Sequence, residues 1–90
     1  MRRVIWTTEA IENLTDIRAY IGSFNPLAAQ RFALGLWNAA ESLAEHPERG
    51  RLIGKGRREL AGVRPYLIRY RIMGEGVEIL TIRHGARRPD

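Results

Sequence analysis

The sequence predicts an α+β domain in which a helical hairpin packs on one face of an antiparallel sheet. Two observations carry this. Apolar residues recur at helical spacing in two consecutive stretches before residue 47. After residue 65 they alternate at strand period, interrupted by Met73-Gly74-Glu75-Gly76, a hairpin turn. The 90 residues hold no internal repeat, low-complexity tract or domain-separating linker, so one domain spanning 1–90 is expected.

Residues 2–6 are a short strand candidate ending in Trp6. Thr7 offers an N-cap hydroxyl, and Glu9 suits the positive end of a helix. Ile11, Leu14, Ile17 and Ile21 then form one apolar stripe, predicting a helix over about residues 8–23. Asn25-Pro26 opens a second helix, with Asn as N-cap and Pro at the first helical position, where its missing N–H costs nothing. Ala29, Phe32, Leu36, Ala40 and Leu43 mark its buried stripe, and Pro47 ends it. A connection of about three residues makes the two helices an antiparallel hairpin.

Residues 47–56 carry Pro47, Gly50, Gly54 and Gly56 together with Arg49, Arg51 and Lys55, and read as a mobile connector. Their glycine spacing matches no phosphate-binding fingerprint. Residues 57–61 form a possible strand. Tyr66, Ile68, Tyr70 and Ile72 alternate with Leu67, Arg69 and Arg71, the pattern of a half-buried strand. Val77 to Arg83 is apolar at Val77, Ile79, Leu80 and Ile82, which predicts a central strand covered on both faces.

Composition narrows the chemistry. Apolar residues make up 44% of the chain, enough for a globular core. There is no cysteine, which removes disulfides and thiolate chemistry. With only His46 and His84, and no paired-carboxylate or ligand spacing, no metal site and no cofactor are expected. No apolar run reaches membrane-span length and no signal peptide is recognisable, so the cytoplasm is the default compartment. The net charge is +5, and fourteen of the fifteen cations are arginine. Residues 1–48 hold four arginines against six acids, whereas residues 49–90 hold eleven cations against four acids. Arginine suits bidentate phosphate or carboxylate contacts, so the basic half points to an anionic partner.

Three groups of residues are candidates for function. Glu59, His84 and an arginine are the types an RNA-cleaving site needs: a general base, a general acid and a cation for the phosphorane. Glu59 also reads as a surface ion pair with Arg57 or Arg58, and His84 as a surface histidine at a strand end. The run Arg83-His84-Gly85-Ala86-Arg87-Arg88 follows a buried strand and projects a basic tail. Tyr20 and Trp37 lie off the main stripes of their helices, where aromatic residues can anchor a partner.

The chain resembles the ParE branch of the RelE/ParE toxins of bacterial type II toxin–antitoxin systems. The resemblance runs through Ala10, Leu14, Ile17 and Tyr20-Ile21, then Asn25-Pro26, Ala28-Ala29, Leu43, Pro47, Gly50-Arg51 and Arg58. Its most specific parts are Pro65-Tyr66-Leu67-Ile68-Arg69-Tyr70-Arg71 and Ile79-Leu80 followed by His84-Gly85-Ala86-Arg87. It implies an N-terminal strand, a two-helix hairpin and a three-stranded antiparallel sheet. It also implies a ParD-like antitoxin whose acidic C-terminal segment folds on the toxin. Tyr20, Phe24 and Trp37 are then expected to line the antitoxin groove, and Arg58, Arg69 and Arg71 to pair with antitoxin acids.

RelE-like members cut mRNA on the ribosome, whereas ParE-like members inhibit DNA gyrase and serve in plasmid stabilisation. The nucleases usually place an arginine early on the central strand, where this chain has Leu67. They often carry a tyrosine near the C-terminus, and none follows Tyr70 here. The resemblance therefore implies a gyrase-binding toxin rather than an enzyme, with Arg83, His84, Arg87 and Arg88 as target contacts. The alternatives are a ribosome-dependent nuclease with Glu59 as base, His84 as acid and Arg87 on the phosphorane, or a non-toxic basic nucleic-acid-binding module.

Overall fold

One side chain converts the first strand into the first helix. Thr7 is extended (φ −71°, ψ 160°), and its hydroxyl accepts the Ala10 N–H at 3.1 Å, capping the helix that follows. The same hydroxyl lies 2.9 and 3.0 Å from the carbonyl oxygens of Ile79 and Leu80, which ties the cap to the last strand. The computed structural model describes residues 2–85.

In chain order the elements are β1 (Arg3–Trp6), α1 (Thr8–Gly22), α2 (Pro26–Glu41), a 3-10 turn (Ser42–Ala44), β2 (Arg51–Gly54), β3 (Arg57–Val63), β4 (Tyr66–Met73) and β5 (Gly76–His84). Asn25 caps α2 by accepting the Ala28 N–H at 3.1 Å, with Pro26 in the first turn, as the sequence predicts. The hairpin lies on one face of a five-stranded sheet of order β1-β5-β4-β3-β2, α1 over β5 and α2 over β3.

The sheet departs from the sequence reading in three respects. It has five strands rather than three plus an N-terminal strand, and it is mixed, because β1 pairs parallel to β5 from Arg3↔Gly76 to Trp6↔Ile79. The glycine-rich segment is not a mobile connector. Its second half is strand β2, joined to β3 by a tight turn in which Gly54, Lys55 and Gly56 all have positive φ (106°, 56° and 74°). Finally, β5 is covered on one face only. Opposite β4 the register passes from Ile79↔Tyr70 to Thr81↔Arg69, leaving Leu80 as an extra residue in a bulge. The bulge shifts the alternation by one position, so Val77, Ile79 and Ile82 all reach the helix-side core.

That core is built from Ala10, Leu36, Ala40 and Leu43 above the sheet and Leu60, Tyr66, Ile68, Tyr70, Val77, Ile79 and Ile82 within it. On α1 the innermost residue is Ala10, where the helix must approach β5 closely, and Ile11 is half exposed instead of leading the stripe. The helix of α2 gives way to the 3-10 turn at Ser42, before Pro47.

Tyr70 pins the segment that precedes β2. Its ring is fully buried. Its hydroxyl donates to the Pro47 carbonyl at 2.7 Å and accepts the Gly50 N–H at 2.8 Å. Arg58 adds a hydrogen bond to the Gly50 carbonyl at 2.8 Å. A Cβ at position 50 would stand 2.7 Å from both Tyr70 Cε1 and its hydroxyl oxygen, so only glycine allows this approach. Burial raises the pKa of Tyr70 above its ordinary value, against the opposing effect of the Gly50 N–H.

Two outcomes follow. Tyr70→Phe strands the Gly50 N–H and the Pro47 carbonyl, so thermal unfolding should show a loss of about 1–3 kcal/mol. An unchanged melting temperature would mean that the hydroxyl does not hold the segment. Because the folded pKa is raised, Tyr70 contributes its full stability below its ordinary pKa of 10.0. That contribution is lost as pH rises past this value, since the unfolded chain ionises first. Urea titrations above this pH should show wild type converging on Tyr70→Phe.

Candidate functional site

The short β1 strand opens a concavity along the edge of β5. Its pairing with β5 stops at Ile79, so the edge of β5 from Leu80 onward has no strand beside it. Side chains replace the missing strand. Thr7 meets the Ile79 and Leu80 carbonyls, and Asn13 of α1 accepts the Ile82 N–H at 3.0 Å. Between α1 and this edge runs a groove of about 830 Å³, lined by Glu9, Asn13, Asp16, Ile17, Tyr20, Tyr66, Thr81, Ile82, Arg83 and His84.

The groove is divided by charge. Glu9 and Asp16 make the α1 wall acidic, Arg83 makes the far end basic beside His84, and Ile17, Tyr20, Tyr66 and Ile82 supply apolar surface. Its basic end is built on an aromatic series. Phe32 meets Tyr66 edge-on (centroids 5.8 Å apart), and Tyr66 meets His84 in the same way (5.5 Å). The Gly85 N–H donates to the Pro65 carbonyl at 2.6 Å, so the chain leaves the sheet from a held position.

The expected antitoxin residues do not form one surface. Tyr20 and Phe24 do pair, edge-on with centroids 5.3 Å apart, at the hairpin tip. They are 66% and 75% exposed, which leaves a large apolar area in water beside the groove. Trp37 is 43% exposed and belongs to a second aromatic pair. It stacks on Trp6 at 4.9 Å and 11°, and the Trp6 indole N–H donates to Glu41 at 3.1 Å. Arg58 lies on the helix side and holds the Gly50 segment. Arg69 and Arg71 project from the opposite face of the sheet, where Arg69 bonds Glu59 at 3.0 Å and Arg71 bonds Glu78 at 2.8 Å.

Of the three candidates for nuclease chemistry, the two that are described, Glu59 and His84, are not brought together. His84 is the cross-strand partner of Tyr66 and Glu59 that of Arg69. Tyr66 and Arg69 are an odd number of positions apart on one strand, so Glu59 and His84 leave the sheet from opposite faces. Glu59 is not the surface residue its neighbours suggested. Its side chain is 8% exposed, and its two oxygens meet Arg51 at 3.2 Å and Arg69 at 3.0 Å. Arg87 and Arg88 lie outside the described residues, and of the expected target contacts only Arg83 and His84 are placed, at the groove's basic end.

Sequence reasoning missed two parts of the site. Asn13 had a legible signal, a polar residue flanked by the apolar stripe of α1. The open face of the sheet did not, because its composition depends on which residues the strand register brings side by side. Cross-strand pairing places Arg3, Arg51, Arg57, Arg69, Arg71 and Arg83 there, against Glu59 and Glu78.

Comparison with known proteins fits this geometry. Residues 4–89 match the family model of the ParE toxin of the type II toxin–antitoxin system parDE. The chain is 58% identical to Toxin RelE2 of Caulobacter vibrioides over 87 residues, covering 97% of this chain and 99% of that protein. Toxin RelE1 of the same organism is 34% identical over 85 residues, with 91% of each chain covered. A solved structure described as the chromosomal ParDE system from P. aeruginosa superposes with a TM-score of 0.82 at 24% identity, covering 93% of this chain and 96% of the other, and so shares the fold. With the hairpin, the sheet and nearly the whole length accounted for, the chain belongs to the ParE family of type II toxin–antitoxin toxins.

Proposed function

We propose that this toxin acts by binding DNA gyrase and that a ParD-like antitoxin neutralises it by filling the groove between α1 and β5. The observation that carries the binding reading over a nuclease is the placement of Glu59. Both of its oxygens are held by arginines, and it faces away from His84. A general base must reach the proton it removes while a general acid serves the same phosphate, and these two groups do not share a face. Arg83 and His84, with the tail residues Arg87 and Arg88, are the surface offered to the target.

The groove suits a folded-on-binding segment. Tyr20 and Phe24 provide apolar area at one end, and Arg83 provides positive charge at the other, beside His84. The acidic wall at Glu9 and Asp16 calls for a basic residue in the partner as well, so the segment carries both signs, with its acids toward β5.

Purified antitoxin-free toxin should inhibit gyrase supercoiling and build up linear cleaved DNA with dose, and added antitoxin should abolish both effects. If folded toxin leaves gyrase untouched but cleaves mRNA in a translating extract, the nuclease reading replaces this one. For the groove, Tyr20→Ala should weaken antitoxin binding about 30-fold or more, the size of an interface hot spot. Arg71→Glu, on the other face, should change it less than about threefold. The reverse order in a titration would place the antitoxin on the open face of the sheet.

A further inference from the structure

The face of the sheet turned away from the helices has an unbalanced charge that the fold itself does not require. Arg57 on β3 stands directly opposite Arg71 on β4, a like-charge cross-strand pair of the kind that destabilises a sheet. The two carboxylates on this face are already committed, Glu59 to Arg51 and Arg69, and Glu78 to Arg71. Arg57 has no ion pair among the described residues, and its buried Nε has no hydrogen-bond partner there. Arg3 extends the same face along β1. A half-buried guanidinium beside another cation, with a donor to spare, is suited to holding an anion.

We infer that this face binds the phosphodiester backbone of duplex DNA, with Arg57 and Arg71 bridging one phosphate and Arg3, Arg51 and Arg69 adding to the field. The cations are all arginine, which grips phosphate oxygens in a fork. They sit on neighbouring strands, with Arg69 and Arg71 about 6.7 Å apart along β4, a density of charge that suits a polyanion. Aromatic side chains are missing from the described part of the face, since Trp6, Tyr66 and Tyr70 all turn toward the helices. It therefore offers no platform for stacking unpaired bases, and a duplex is favoured over a single strand. Its exposed large apolar residues among those described are Ile5 and Met73, and polyglutamate tests an acidic peptide as the alternative occupant. The antitoxin groove lies on the helix side and meets this face at Arg83 on the edge of β5.

The test is fluorescence anisotropy of antitoxin-free toxin with labelled duplexes of two unrelated sequences, over a series of salt concentrations. Binding should be salt-dependent and alike for both sequences. Arg57→Ala and Arg71→Gln should each lower the slope of log K against log salt by about one, the loss of one phosphate contact. Arg31→Ala, on the exposed side of α2, should leave the slope unchanged. Circular dichroism melts establish that each variant is folded, and the milder Arg71→Gln keeps the test decisive if Arg57→Ala unfolds. The inference is overturned if wild type ignores duplex DNA at low salt, if both variants keep the wild-type slope, or if single strands or polyglutamate bind more tightly than duplex. Because no gyrase is present, failure here leaves the gyrase reading standing, and failure of the gyrase assay leaves this one standing.

Discussion

A single pair of helices can cover only one side of a five-stranded sheet, and nearly every other feature follows from this limit. Apolar burial is confined to the helix side, where Leu36, Leu43, Ile68, Tyr70, Val77 and Ile79 are removed from water. The small core has to be made efficient. Ala10 and Ala40 let the helices approach, Gly50 lets the chain pass against the Tyr70 ring, and the Leu80 bulge turns a third apolar residue of β5 inward. The uncovered side is left to charged residues, and there the chain places arginines.

Local chemistry was legible wherever a residue answers to its neighbours. The caps at Thr7 and Asn25 and the alternation of Tyr66, Ile68 and Tyr70 all follow from side chains within a few positions of one another. What escaped depends on partners distant in sequence. Nothing near Arg51–Gly54 shows that β3 will pair with it, so its glycines resemble a loop. Nothing near Arg3–Trp6 shows that its neighbour is β5, more than seventy residues away. The Leu80 bulge was misread for a related reason. Apolar residues in both phases of a strand indicate burial on two faces or one inserted residue, and only the opposite strand distinguishes these.

The candidate site divides along the same line. That the second half is basic and arginine-rich could be counted, and Tyr20 is exposed as its position off the α1 stripe suggests. Which arginines share a face could not be counted, because it depends on register. Arg58 and Arg69 look equivalent in the sequence, yet one props the Gly50 segment on the helix side and the other holds Glu59 on the open side. Glu59 itself, flanked by arginines in sequence, is neutralised by two others brought from β2 and β4. Family membership then supplies the context, a toxin of a type II toxin–antitoxin system.

The brevity of β1 has a consequence for how the molecule behaves among copies of itself. A strand edge left open is a template on which another chain can add, and β5 would present such an edge wherever β1 fails to reach. Thr7 and Asn13 occupy hydrogen-bonding groups along that stretch from within the same molecule. The other border of the sheet, β2, is only four residues long and ends beside Lys55 in a tight turn. Both margins are thus poor seeds for sheet-to-sheet growth.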